Sequence, residues 1–127
     1  MLVAALALWV AGCGPTLSPE ERKQALKVID RVKTQVARRN YNGALRLFDE
    51  TAQKNIRNVG GKGTPIEGFF RALRPMLERR DRVEISRGVV WVTYLHGKED
   101  EKLLVAVTKT AEKGWLITRM RGNDWSI

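Results

Sequence analysis

Cysteine is nearly absent from this chain. Cys13 is the one thiol among 127 residues, so no disulfide can form within the chain and the fold must hold by packing. Histidine is as scarce: His96 stands alone, and with no second histidine it offers no transition-metal ligand set. No metal and no cofactor is expected. Long apolar runs are missing too. The longest, Met1 to Gly12, would rise about 18 Å as a helix, well short of the ~30 Å hydrocarbon core it would have to cross. A phosphate loop is excluded by spacing: around Gly60-Gly61-Lys62-Gly63-Thr64, Ile56 stands where the first glycine should be and Gly63 where Ser or Thr should follow the lysine. No serine sits in a strand-turn-helix motif of the hydrolase kind, and His96 beside Gly97 reads as a solvated loop residue. No nucleic-acid module signature is found, and nucleic acid is not an expected partner.

What the chain has in excess is positive charge. Lys and Arg number 23 against 14 Asp and Glu, a formal +9, and every one of these residues follows Cys13. Such a balance attracts anionic surfaces: phosphate-rich polymers, anionic head groups or nucleic acid. Arg71, Arg74, Arg79 and Arg80, followed by Arg82 and Arg87, gather between the expected third helix and first strand as candidate anion-binding residues. The competing reading is a solvated basic edge that discourages strand-to-strand aggregation. It is favoured by the interleaving of bases with acids, as in Glu20-Glu21-Arg22-Lys23 and Glu78-Arg79-Arg80-Asp81.

Met1 to Gly12 carries no charge and ends in Val10-Ala11-Gly12-Cys13. Its length suits the apolar region of a signal peptide, and the last four residues resemble a lipobox, where bacterial lipoprotein precursors are diacylated on the cysteine and cleaved before it. No Lys or Arg precedes the apolar stretch, as a start upstream of Met1 would supply. The resemblance implies a signal peptide over residues 1–12, a lipidated Cys13 with a short tether over 13–17, and a domain over 18–127. It implies a membrane partner through the anchor at Cys13 and a place in the cell envelope facing the periplasm. Two or more acyl chains anchor stably where one is marginal. Gly14, where inner-membrane retention signals often put Asp, tilts the expectation toward the outer membrane.

Ser18 caps the first expected helix, with Pro19 at its first position and Glu21 completing a capping box. Ala25, Ile29, Val32 and Val36 give it a single apolar stripe, and Arg38-Arg39-Asn40 closes it. A second helix is expected from Asn42, burying Ala44, Leu45, Phe48, Ala52 and Ile56. After a glycine-rich loop, Thr64-Pro65-Ile66-Glu67 starts a third, which buries Ile66, Phe69, Phe70 and Leu73 and ends or kinks near Arg74, before Pro75. From Arg82 the period falls to two. Strands are expected over Arg82–Ser86, Val89–Leu95, Lys102–Thr110 and Trp115–Arg121, joined as a meander, with His96 to Glu101 as one polar hairpin loop. The fold class is α+β: three N-terminal helices on a curved antiparallel sheet of about four strands.

In the central strand Val89, Trp91, Thr93 and Leu95 face one way, and Val90, Val92 and Tyr94 the other. Helices cover one face of such a sheet, so the apolar second face either curls round a core or meets another subunit. The order of elements, Tyr41-Asn42-Gly43-Ala44-Leu45-Arg46-Leu47-Phe48 and the closing Gly114-Trp115-Leu116-Ile117 resemble small cystatin-like proteins of the nuclear transport factor two superfamily. That resemblance implies a bent sheet wrapped round the first helix, leaving a conical cavity, here with Phe69, Phe70, Trp91, Thr93 and Tyr94 as candidate lining.

Fold alone does not fix function. The leading expectation is a lipid-anchored, non-catalytic module that binds a small apolar ligand in the cavity or pairs, as a homodimer for instance, through its open sheet face. One alternative is a small cavity enzyme of the isomerase or hydrolase type, in which Tyr94 and an acid converge. Another is a structural lipoprotein that holds anionic envelope polymer through its charge.

Overall fold

The computed structural model describes residues 17–59 and 66–127. Cys13, the lipobox and the Thr64-Pro65 helix start lie outside them. The first helix, α1 (Pro19–Ala37), begins where its capping residues place it: Ser18 Oγ accepts from Glu21 N at 3.1 Å, and Glu21 Oε1 accepts from Ser18 N at 3.3 Å. This reciprocal pair satisfies two donors that a helix start otherwise leaves open. The expected stripe is buried, with Val28 added to it.

The second expected helix is two. Asn40, not Asn42, caps α2 (Tyr41–Leu45), and Asp49 caps α3 (Glu50–Asn58), accepting from Ala52 N at 2.8 Å. Between them the chain touches the sheet. Ile117 N donates to Leu47 O at 2.9 Å, Asp49 N donates to Ile117 O at 3.0 Å, and Phe48 forms a parallel bridge with Ile117. A continuous helix would leave that buried strand residue without these partners, and buried backbone groups rarely go unpaired. The break therefore follows from the needs of the sheet edge. Among the described residues there are thus four helices where three were expected.

The last helix, α4 (Ile66–Met76), runs slightly past Arg74 and carries Pro75 within its final turn. Four strands follow as an antiparallel meander in the order β1 (Arg79–Ser86), β2 (Val89–His96), β3 (Glu101–Thr110) and β4 (Gly114–Arg121). The first strand starts three residues earlier than the alternation suggests, taking in Arg79 and Arg80. His96 is a strand residue, paired with Glu101, and not part of the hairpin loop.

The helices lie on the face of Val90, Val92 and Tyr94, which Leu103, Val105, Val107, Ile117 and Met120 extend across β3 and β4. Against it pack α1, chiefly over β3 and β4, and α4 over β2. Phe48, Phe70, Leu73 and Leu77 fill the space between. Full burial of side chains of this size stabilises by about 1.5–3 kcal/mol each. The fold is α+β, as expected.

Two β-bulges bend the sheet. The register passes from Arg80↔Tyr94 to Arg82↔Thr93, leaving Asp81 extra, and from Ala106↔Arg119 to Val107↔Ile117, leaving Thr118 extra. Each added residue reverses the alternation beyond it. Arg82 thereby reaches the open face while Arg80 stays beside Tyr94. Ile117 and Met120 both reach the core, and Arg119 is turned out of it.

Candidate functional site

The face turned away from the described helices carries an apolar centre. Across it run Val89, Trp91, Thr93 and Leu95 of β2, Leu104 and Ala106 of β3, and Leu116 of β4. Trp91 and Ala106 are register partners, and Ala106 is buried although no described helix covers it. Arg82 and Glu84 flank this apolar centre on β1, and Arg119 and Arg121 flank it on β4. An apolar centre rimmed by charge is the pattern of a contact surface more than of a solvated one.

The five aromatic and polar candidates for a cavity do not meet. Phe70 and Tyr94 are in the core with Phe48, Leu73 and Met120, whereas Trp91 and Thr93 stand on the opposite face of the same sheet. Phe69 is half-buried and packs edge-on to Phe70, with centroids 5.2 Å apart, and to Trp125 at 6.1 Å. Strict alternation along β2 separates Thr93 from Tyr94 in this way, and a lining that drew on both faces cannot form.

Tyr94 is 5% exposed, and burial pushes its hydroxyl up to about 12. The Arg80 guanidinium offsets part of that rise, and Asp30 of α1 adds to it. Asp30 is a surface residue. The nearest charged field at Tyr94 is therefore mixed, without the buried carboxylate that an isomerase-like base requires.

The arginines divide into two groups. Arg71 and Arg74 are on α4, while Arg79 and Arg80 begin β1. Arg71 Nε donates to the Tyr41 hydroxyl at 3.4 Å and its guanidinium pairs with Glu67 at 2.7 Å, contacts that in this order hold it above the ordinary arginine value. Arg79 is strapped to the β2–β3 turn, donating to Asp100 Oδ1 at 2.9 Å and to Gly97 O at 3.0 Å. Arg82 lies 3.3 Å from Glu84. Three cations of the expected patch thus have carboxylates of their own. These exposed pairs add little to stability, yet they lower the charge available to an anion.

One feature escaped the sequence reading. Leu17, Pro19, Arg22, Lys23, Leu26 and Ile85 enclose a groove of about 350 Å3 between the start of α1 and the edge strand β1. The helical half of this set was legible in the spacing of residues 19, 22, 23 and 26. Nothing in sequence announced that Ile85 would close the other side. His96 Nδ1 lies 3.8 Å from Glu101 across the strands. Among the described residues no group of three His, Cys, Asp or Glu is placed to hold a metal, and no helix is long and apolar enough to cross a membrane. No protein-family model, curated protein or solved structure matches this chain.

Proposed function

We propose that this is a lipid-anchored protein of the cell envelope, held through Cys13, whose domain is a non-catalytic interaction module that pairs through its open sheet face. The observation that carries the second part is the apolar centre around Trp91, uncovered by any described helix and rimmed by Arg82, Arg119 and Arg121. The anchor draws on Val10-Ala11-Gly12-Cys13 and on the uncharged stretch before it. A second copy is the favoured partner, because a two-fold rotation sets the apolar centre of Trp91 and Ala106 against its own image. The polymer-binding alternative draws less support, since Arg71, Arg79 and Arg82 already face carboxylates.

Two measurements test the two parts separately. Intact mass of protein from bacterial membranes, with a basic residue restored ahead of Leu2, is expected to show loss of residues 1–12 and a gain of acyl mass, both abolished by Cys13→Ala. An unmodified full-length chain in the soluble fraction overturns the anchor. For the face, sedimentation equilibrium of the Cys13→Ala chain is expected to give a dimer that Trp91→Glu dissociates with little change in melting temperature. A monomer at all concentrations, or a dimer indifferent to Trp91→Glu, rejects the pairing.

A further inference from the structure

We infer that the groove between the first turns of α1 and the β1 edge docks on an anionic phospholipid of the membrane that holds Cys13, an inference that rests on the anchor proposed above. The lining has the composition of its ligand. Leu17, Leu26 and Ile85 are half-buried and apolar, matching glycerol and the first acyl carbons, while Arg22 and Lys23 are exposed and cationic, matching the phosphate.

The helix period sets this out. Residues 19, 22, 23 and 26 share one face; Glu20 lies three residues before Lys23, about 60° round the axis, and forms no ion pair with it among the described residues. Glu21 is engaged elsewhere: its carboxylate accepts from Ser18 N and lies 3.8 Å from Lys109 Nζ. Neither of the two acids nearest in sequence forms an ion pair with Arg22 or Lys23.

Reach completes the argument. Three residues separate Cys13 from Leu17, so across four peptide steps the two α-carbons lie no more than about 14 Å apart. Acyl chains on Cys13 bring the bilayer surface within that distance of a groove that Leu17 itself helps to line. The open sheet face, by contrast, has Trp91 and Ala106 at its centre and its cations at the rim, an order suited to a protein partner.

The test uses full-length chain carrying Cys13→Ala, so that its result is independent of acylation. Dihexanoyl phosphatidylglycerol, kept below its micelle-forming concentration, is titrated while amide resonances are followed by NMR. Dihexanoyl phosphatidylcholine and inorganic phosphate serve as comparisons. Saturable shifts at Leu17, Arg22, Lys23, Leu26 and Ile85 are expected with the glycerol lipid. Arg22→Gln with Lys23→Gln removes the charge-assisted contacts to the single phosphate and should weaken binding by at least about fivefold. Both positions are exposed, and an otherwise unchanged spectrum of the variant establishes that it folds. Equal response to the choline lipid, shifts confined to the face around Trp91, or affinity unmoved in the double variant each overturn the proposal. Identical shifts from phosphate alone overturn it in favour of a simple anion site. Failure of the anchor is read separately, from the intact mass.

Discussion

Tyr94 shows how much one position in an alternating strand decides. Its neighbour Thr93 points away from the helices, while Tyr94 is buried against them with its hydroxyl held up to about 12 from an ordinary 10.0. Below pH 10 the hydroxyl is protonated in folded and unfolded chains alike, and its full contribution to stability is present. Between pH 10 and about 12 the unfolded chain gives up this proton while the folded chain keeps it, so stability falls as pH rises, by at most about 3 kcal/mol. Denaturant unfolding of the wild type should show that decline, and Tyr94→Phe should flatten it. Gly122 is a second such position. A β-carbon there would overlap the Trp125 indole, which folds back over it to reach Phe69. Gly122→Ala is expected to displace Trp125 and cost about 1–3 kcal/mol, read as a lower melting temperature and a changed near-ultraviolet circular dichroism band.

At the scale of elements, the sequence carried the start of α1 and the meander, but not the break between α2 and α3. Ala44, Leu45, Phe48, Ala52 and Ile56 fit one helical stripe, and all five are indeed buried. Periodicity reports burial. It does not distinguish a residue buried by helix packing from one buried by pairing with a strand 69 residues further on, which is what Phe48 does with Ile117. A local signal was nevertheless present, because Asp49 followed by Glu50 is a helix start. Asp49→Ala removes the cap on Ala52 N and should cost about 1 kcal/mol, measurable as a shift of the denaturant midpoint with an unchanged slope. The bulges were illegible for a related reason: simple alternation along β4 puts Arg119 on the same face as Ile117, and only the register with β3 shows Thr118 to be extra. The candidate cavity is a different matter: alternation along β2 already put Thr93 and Tyr94 on opposite faces, and the lining drew on both. The groove beside Leu17 needed long-range contact information that spacing cannot hold.

For the molecule as a whole, the sheet has two edges and one face that no described helix covers, and its edges are already managed. The outer edge of β4 is met by the Phe48 segment and by the tail, where Ile127 N donates to Met120 O at 3.0 Å and Arg121 bridges Ser126. The β1 edge carries Arg79, Arg80, Asp81, Arg82 and Glu84 with a bulge among them, a combination that resists further strand addition. The open face is what remains for a partner, and the net charge then makes the two proposed contacts separable by salt. Two copies brought face to face each carry +9, so their pairing works against a long-range repulsion that ions screen. Docking on anionic lipid runs with the charge and is weakened by the same ions. Raising salt from about 0.05 to 0.5 M, where the Debye length shrinks from roughly 14 to 4 Å, should therefore increase the dimer fraction in sedimentation equilibrium. The same change should reduce phosphatidylglycerol binding by NMR. If both associations weaken together, the face pairs through its charged rim and not its apolar centre, and Trp91→Glu will then matter less than Arg119→Glu.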